Sequence, residues 1–278
     1  MFEETTNGKQ VQGRRVMVGR KHLLTFWVAC VAFVSAAIFP ASAVTLSNVM
    51  AEVDDVLARA NASGKLALII MGANWCHDSQ GLLSHFKEPD MIEVLGGHYE
   101  KLLVDVGNLD AGAEVNKRFG MPVIYGTPTV LIVDPHNERL LNRRDLQQWY
   151  NAASISLSDT VDYFKSKAVP AVRHAAVAAD MATSEPLKKL FAEIDSFEAQ
   201  QAQRIYRGFQ IVGPMVAMDR HERPKNFYRL WEQLRVLRYK IPDDLVTLRA
   251  VARRRVALGE TDIKLEFPEY PPLEWEEE

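Results

Sequence analysis

Three short, mainly apolar runs constrain the fold of this chain most strongly. They lie at residues 65–71, 101–106 and 129–133. Because successive side chains of a strand point to opposite faces, a run with few polar residues predicts a strand that is covered on both faces. Helical stretches separate the runs, and residues 139–141 predict the partner strand of a hairpin. This alternation predicts an α/β fold in which helices flank a mixed sheet.

A second region without strand patterns follows the α/β unit. Apolar residues recur at helical spacing over residues 185–212, 226–239 and 243–258, which predicts an α-helical C-terminal extension. Pro214 is expected to interrupt the first of these helices, because proline removes a backbone hydrogen bond. Asp243 is a candidate N-cap for the third helix.

Charge is distributed unevenly, although the whole chain carries a net charge of only −3. The predicted helices after residue 219 are basic, and the proline-rich tail from residue 261 is acidic and expected to be extended or disordered. The absence of a global basic field argues against a nucleic-acid partner. Two interpretations stay open: the tail neutralises its own helices, or the helices bind an anionic membrane face or an acidic partner.

The N-terminus has the layout of a secretory signal peptide. Basic residues precede an apolar run over 23–39, and small residues at 40–43 follow it. This layout predicts cleavage after Ala43 and export from the cytoplasm. The alternative is an uncleaved signal that anchors the protein in the inner membrane, for which the run is slightly short. The predicted parts are therefore the signal peptide 1–43, the α/β domain 44–168, the helical extension 169–260 and the tail 261–278.

The two cysteines fall in different parts of this plan. Cys30 lies in the signal segment, so cleavage leaves Cys76 as the single thiol of the mature chain. A single thiol cannot form an internal disulfide, although an exported protein enters an oxidising compartment. Cys76 is therefore either a buried, inert residue or a reactive thiol.

The residues beside Cys76 favour reactivity. A buried strand leads to Cys76 at the first turn of a predicted helix, where unpaired N–H groups and the helix dipole stabilise a negative charge. His77, if protonated, adds a positive charge, whereas Asp78 opposes it. Trp75 is expected to shield one side of the sulfur and to offer an apolar surface to a substrate.

These residues resemble a known active site. The sequence Ala-Asn-Trp-Cys-His-Asp-Ser at 73–79 follows an apolar strand and resembles the thioredoxin motif W-C-x-x-C. The sequence Gly-Thr-Pro-Thr-Val at 126–130 resembles the thioredoxin loop in which a proline follows a cis peptide bond. Residues 117–120 resemble the helix end before that loop. The resemblance to the thioredoxin-like superfamily covers residues 46–167 and implies its mixed sheet.

The resemblance also implies roles for individual residues. Cys76 would be the nucleophile, and Pro128 would follow a cis bond and keep the loop open to an extended peptide. The backbone of Thr127 would pair with that substrate. The implied activity is thiol–disulfide exchange or isomerisation on protein or glutathione disulfides. Glutathione is expected as a co-substrate, and no other cofactor is expected.

Two departures from the thioredoxin pattern qualify the implied activity. Ser79 stands where the family has its second, resolving cysteine, and a hydroxyl cannot displace a mixed disulfide. Ile70 stands where the family often buries a carboxylate that serves the second thiol. A Cys-x-x-Ser centre remains able to work as a monothiol. The alternative is a redox-inactive binding or chaperone-like module that keeps the fold.

The resemblance to exported bacterial proteins suggests the periplasm as the location. The helical periodicity of the extension allows a homodimer through its helices, and the same helices alternatively pack as a bundle on the α/β unit. Client proteins with disulfides and glutathione are the expected partners.

The other residue patterns do not predict a metal or catalytic site. His77, His85, His98 and Asp78 lack the spacing of a compact metal site, so no metal is predicted. Trp149, Tyr150 and Trp231 lie among apolar residues and are predicted to be packing aromatics.

Overall fold

A computed structural model describes residues 46–170, His174 and residues 184–276. The predicted signal peptide, and with it the question of cleavage or anchoring, lies outside these residues. Among the helices that the structure describes, none is both long and apolar enough to cross a membrane.

Four strands form one mixed sheet in the order β2-β1-β3-β4. They are β1 (Leu66–Gly72), β2 (Tyr99–Asp105), β3 (Thr129–Asp134) and β4 (Arg139–Leu140). The pairing of β1 with β2 is parallel, whereas β3 is antiparallel to both β1 and β4. The three apolar runs and the hairpin partner form these strands, with shifts of a residue or two at their ends. The prediction that the second run is covered on both faces is wrong, because β2 is an edge strand and Leu103 is 56% exposed. The predicted fold class, a thioredoxin-like mixed sheet with an α-helical C-terminal extension, is confirmed.

The central strand β1 separates two hydrophobic cores. Ile69 and Met71 point into one core, and Leu68 and Ile70 point into the other. All four side chains are almost fully buried, because helices cover both faces of the sheet. The unbroken apolar run of β1 is therefore the sequence signature of its two-sided burial.

Helices cover the two faces unequally. The core with Ile70 is closed by three helices and by a 3-10 segment that is kinked at Asn151. The opposite core is closed by two helices of the α/β domain together with the extension. The first set comprises α2 (His77–His85), α3 (Pro89–His98), the 3-10 segment Arg143–Ser154 and α5 (Leu157–Ala168), and the second comprises α1 (Leu46–Ser63) and α4 (Ala113–Arg118).

Over residues 184–258, which the structure describes, the extension has two long helices where the sequence predicts three. They are α6 (Glu185–Ala217) and α7 (Phe227–Ala257). The prediction that Pro214 interrupts the first helix is wrong, since α6 continues through it, and Pro242 likewise lies inside α7. A proline inside a helix costs about 3 kcal/mol. Buried apolar residues on both sides of each proline, such as Ile241 and Leu245 in α7, offset that cost.

The sequence of α7 contains one signal for a helix start and one for a helix end, and only the second coincides with an end of the helix. Asp243, the predicted N-cap of a third helix, lies in the interior of α7 because the two predicted helices are one. Gly259 does follow the end of the helix and has a φ of 76°, a left-handed conformation that favours glycine.

The acidic tail packs along the extension. Residues 260–273 have no regular secondary structure, yet Leu273 is buried and Phe267 packs on Phe197 of α6. Arg204 of α6 binds Glu276 with 2.7 Å between nitrogen and oxygen. Within the described residues the tail is extended, and its carboxylates pair with arginines of the helices. This favours the interpretation that the tail neutralises its own helices.

Candidate functional site

Cys76 is the N-cap residue of α2 and follows the turn after β1. Its backbone is extended, with φ −88° and ψ 118°, and its carbonyl accepts the first helical hydrogen bond from Gln80 N at 3.1 Å. The buried strand fixes the start of the turn, and the first turn of α2 fixes its end. Cys76 therefore lies at the helix end that has free N–H groups, and its side chain makes no capping hydrogen bond to them. Only 8% of the Cys76 surface is exposed.

The Cys76 sulfur contacts one residue on the opposite loop through two polar groups. The thiol donates a hydrogen bond to the Thr127 carbonyl oxygen at 3.1 Å, and Thr127 Oγ1 donates to the sulfur at 3.3 Å. The peptide bond between Thr127 and Pro128 is cis. The carbonyl can bind only a protonated thiol, whereas the hydroxyl can donate to the sulfur in either state.

The Thr127 loop is itself covered. Tyr150 packs against Gly126, where a Cβ atom would lie 2.1 Å from the ring. The ring of Tyr239, from α7, stacks on Tyr150 at 5.1 Å between centroids. Thr127 is buried as a result. The rings of Tyr150 and Tyr239 therefore lie at the loop whose backbone is expected, from the resemblance, to pair with an extended peptide.

Trp75 is held from two sides. Its Nε1 donates to the carbonyl oxygen of Gly107 at 2.8 Å. Its ring makes an edge contact with Trp231 of α7, with 6.1 Å between centroids. The indole that was expected to offer an apolar surface beside Cys76 is therefore half-buried and already packs on the extension.

Ser79 and His77 take different positions. Ser79 is buried, and its hydroxyl oxygen accepts a long hydrogen bond from Ala73 N at 3.4 Å. Gly72 is needed beside it, because a Cβ there would lie 2.8 Å from the Ser79 oxygen. Ser79 thus packs under the turn and bonds its backbone. His77 is exposed at the start of α2.

Arg238 of α7 was not singled out by the sequence. It is 3% exposed, and its guanidinium carbon lies 5.3 Å from the Trp231 ring centroid and 5.8 Å from that of Tyr239. Two of its nitrogens, Nε and Nη1, are buried without a hydrogen-bond partner in the described structure. Burial lowers the pKa of Arg238, and interactions with Tyr239, Tyr150 and Cys76, from the largest to the smallest, counteract that effect. An arginine at the helical spacing of buried Leu234, Ile241 and Leu245 was the available signal.

A buried ion cluster joins the extension to the α/β domain. Glu198 of α6 accepts a hydrogen bond from Tyr125 at 3.0 Å and pairs with Arg143 at 3.2 Å and with Arg249 of α7 at 3.4 Å. Burial, with the nearby Glu198 charge, raises the pKa of Tyr125. The cluster is satisfied by three donors from three elements, so it fixes the docking of the extension.

The histidines that sequence analysis weighed as metal ligands lie apart. His77 and His98 are exposed, and His85 Nδ1 lies 3.1 Å from Thr160 Oγ1. In the ranges that the structure covers, no three His, Cys, Asp or Glu side chains come together as a metal site.

Comparisons with known proteins give one structural likeness. No protein-family model matches the chain, and no curated protein matches it. A solved structure, the disulphide isomerase from Xylella fastidiosa Temecula1, is similar with 27% sequence identity. The match covers 42% of this chain and 88% of that chain, with a TM-score of 0.39. With so low a TM-score, the likeness carries no functional argument for this chain.

Proposed function

We propose that this chain is an exported thioredoxin-like protein that performs monothiol thiol–disulfide exchange through Cys76. The observation that carries the proposal is the contact of the Cys76 sulfur with Thr127, the residue before Pro128, at the start of α2. A sulfur at a helix N-terminus is in the environment that favours a reactive thiolate. The Thr127 hydroxyl can donate a hydrogen bond to that thiolate.

The exchange has two steps. The Cys76 thiolate attacks one sulfur of a protein or glutathione disulfide, and a mixed disulfide forms as the old S–S bond breaks. The other sulfur leaves with the electron pair and takes a proton. Because Ser79 cannot attack the mixed disulfide, a second thiol, from the client or from glutathione, must release Cys76. Glutathione is therefore the proposed co-substrate.

The extension limits which disulfides reach Cys76. Trp231 and Tyr239 lie on Trp75 and Tyr150 at either side of the site. Small disulfides, with glutathione among them, are the substrates that fit the closed arrangement best. A protein disulfide reaches Cys76 after α7 moves away.

Incubation of the full chain with oxidised glutathione tests the proposal. We expect a mass increase of one glutathione on the peptide that contains Cys76, and its removal by reduced glutathione. Cys76→Ser is the matched control, because it keeps Cys30 and the shape of the site. A native protein that gains glutathione only after unfolding contradicts the proposal.

The alternative, a redox-inactive binding or chaperone-like module, is favoured by one observation. Cys76 is covered, and the thioredoxin-like peptide site at Thr127 is buried. This alternative predicts that a client protein binds equally well to the wild type and to Cys76→Ala. Exchange predicts that the Cys76→Ala protein loses the disulfide-linked complex.

Export and assembly are further parts of the proposal. The layout of residues 14–43 supports export, to the periplasm if the host is bacterial, and the anchored form is the alternative; N-terminal sequencing of the processed protein distinguishes them. Val236 and Val251 of α7 are exposed and support a homodimer through the helices. A monomeric mass in light scattering at micromolar concentration would remove the dimer from the proposal.

A further inference from the structure

Strand β2 lies at an edge of the sheet. Within the described residues it pairs with β1 on one side, and the order β2-β1-β3-β4 places no strand on its other side. A free edge exposes backbone N–H and C=O groups, which form a template for another strand. Leu103, in the second half of β2, is 56% exposed. The outer side of β2 is therefore a candidate interface.

One backbone hydrogen bond shows which residues of β2 face the open side. Val106 N, directly after the strand, donates to the Gly72 carbonyl oxygen of β1 at 3.0 Å. The backbone groups of successive strand residues point to alternate sides of the strand, so the even-numbered residues of β2 bond to β1. Lys101, Leu103 and Asp105 therefore direct their N–H and C=O groups outward.

The same three residues form a stripe of exposed side chains. Lys101, Leu103 and Asp105 are exposed, whereas Leu102 is half-buried and Val104 is buried. The three side chains lie on one face of the strand because they are two residues apart. Outward backbone groups and an exposed stripe thus occur together at this edge.

The charges of the stripe are arranged symmetrically. Lys101 lies two residues before Leu103, and Asp105 lies two residues after it. If a second β2 pairs antiparallel about a two-fold axis at Leu103, each Lys101 lies opposite the Asp105 of the other chain. Charges on an edge usually deter a second strand, but opposite charges directly across two strands attract. The pattern therefore favours a second copy of this chain as the occupant.

We propose that two copies of this chain pair through β2, antiparallel about Leu103, and join their four-stranded sheets. Lys101, Leu103 and Asp105 then form three pairs of the hydrogen-bonded kind, since all three direct their backbone outward. The two chains use the same surface, as a two-fold interface requires. The interface involves neither Cys76 nor the extension, so Cys76→Ser should dimerise like the wild type.

Light scattering on the full chain at micromolar concentration tests the pairing. We expect the mass of a dimer for the wild type and of a monomer for Leu103→Asp, because two carboxylates would meet at the axis. Val236→Asp is the matched control, since Val236 is 51% exposed on α7, and it should stay dimeric. A monomeric wild type overturns the proposal, and so does a dimeric Leu103→Asp protein. Loss of the dimer in both variants, or in Val236→Asp alone, also overturns it.

Exchange of the two charges tests the register. Lys101→Asp places two carboxylates opposite each other at both ends of the interface, so the dissociation constant of the dimer should rise on the order of tenfold. The double variant Lys101→Asp/Asp105→Lys restores opposite charges and should recover most of the affinity. A double variant that dimerises no better than Lys101→Asp overturns the register.

A cysteine at the axis tests the same register without a change of charge. In Leu103→Cys the two Cα atoms lie about 5.5 Å apart in a hydrogen-bonded pair, within the range of a disulfide. Mild oxidation should therefore give a cross-linked dimer, with the bond assigned by mass spectrometry. Lys101→Cys is the control, because its two copies lie four residues apart along the strands, about 13 Å. Equal cross-linking of the two variants overturns the register. No cross-link in Leu103→Cys overturns the pairing, and an extended segment of this chain or a client strand at the edge would give that result.

Discussion

Different kinds of contact position the α/β domain and the helical extension at the site. The turn around Cys76 is set by neighbours in sequence: the buried strand β1, the N-cap of α2 and the packing of Ser79 under Gly72. The position of the extension is set by contacts between residues far apart in the chain, such as Trp231 with Trp75. The first region presents a thiol, and the second covers it.

The extension is therefore not a separate appendage to the α/β domain, because the two regions pack together around the site. Apolar residues of both regions share one of the two cores, which includes Cys76, Ile194 of α6 and Leu234 of α7. Changes in the α/β domain are expected to alter the chemistry of the sulfur. Changes in the extension are expected to alter its access.

The largest expected effect restores a second thiol in the α/β domain. In Ser79→Cys, the new thiol is three residues from Cys76 and can attack a mixed disulfide within the molecule. Because intramolecular thiols have effective concentrations in the millimolar range, the trapped glutathione adduct should fall on the order of tenfold or more. Mass spectrometry after a timed glutathione pulse measures it. An adduct as abundant as in the wild type would contradict the assignment of position 79 as the place of the missing resolving thiol.

The ion cluster tests how firmly the extension is docked. Glu198→Leu removes the acceptor of the buried Tyr125 hydroxyl. Arg249 keeps Asp195 at 2.6 Å and Arg143 keeps a carbonyl oxygen at 2.7 Å, so the free energy of unfolding should fall by about 1–3 kcal/mol, the cost of an unsatisfied buried group. Urea unfolding measures the loss. Gln200→Leu, at an exposed position of the same helix, is the control and should change little. Equal stabilities of the two variants would break the account of docking.

The close packing over the Thr127 loop gives an intermediate effect. In Gly126→Ala the added Cβ would lie 2.1 Å from the Tyr150 ring, so overpacking should cost about 1–3 kcal/mol. Gly96→Ala is the matched control: nothing lies within 4 Å of its Cβ position in α3, and alanine there should stabilise by about 0.5–1 kcal/mol. Thermal unfolding compares them. A stable Gly126→Ala protein would mean that Tyr150 does not press on this loop.

Removing a ring of the extension that packs beside Cys76 should speed the labelling of its thiol. Trp231→Ala deletes the ring that packs on Trp75, so a bulky maleimide should label Cys76 several-fold faster, while iodoacetamide changes less. Tyr228→Ala, whose side chain is 63% exposed on the same helix, should leave both rates unchanged. If the rates with both reagents are the same in all three proteins, the extension does not limit access.

The smallest effect belongs to the tail. Hydrogen bonds from Arg204 lower the pKa of Glu276. A carboxylate with a lowered native pKa stabilises the fold above its unfolded value of about 4.3 and loses that contribution as pH falls through the native value. Glu276→Gln should therefore cost about 1 kcal/mol or less at neutral pH and nothing at the lowest pH that preserves the fold. Urea unfolding at the two pH values measures this.

The same contrast explains what the sequence could predict. The strands, the start of α2 and Gly120 after α4 follow local patterns, and they lie within a few residues of their predicted positions. The sequence analysis predicts no helix at α3, which begins at Pro89, and it predicts a break at Pro214, which lies inside α6. Whether a proline ends a helix depends on the burial of its neighbours, which the local sequence does not show.

The residues that the α/β domain contributes to the site could be predicted from the sequence, whereas those of the extension could not. Cys76, Thr127 and Pro128 come together as the motif and the loop indicate. The roles of Trp231 and Tyr239 depend on how α7 docks, so the sequence placed Trp231 among ordinary packing aromatics. Arg238 has no local signal in the sequence, because arginines on basic helices are usually exposed. In the structure its guanidinium lies among the rings of Phe209 of α6 and of Trp231 and Tyr239 of α7.

The rate at which a small neutral disulfide reacts with Cys76 at pH 6 tests the central claim most directly. At this pH a free thiol is scarcely ionised, so an unfolded chain reacts slowly. The account predicts that the native full chain forms the mixed disulfide at Cys76 faster than the same chain in urea. A native protein that stays unmodified while the unfolded chain reacts would contradict it, and Cys76 would then be a packed, inert residue in a binding module.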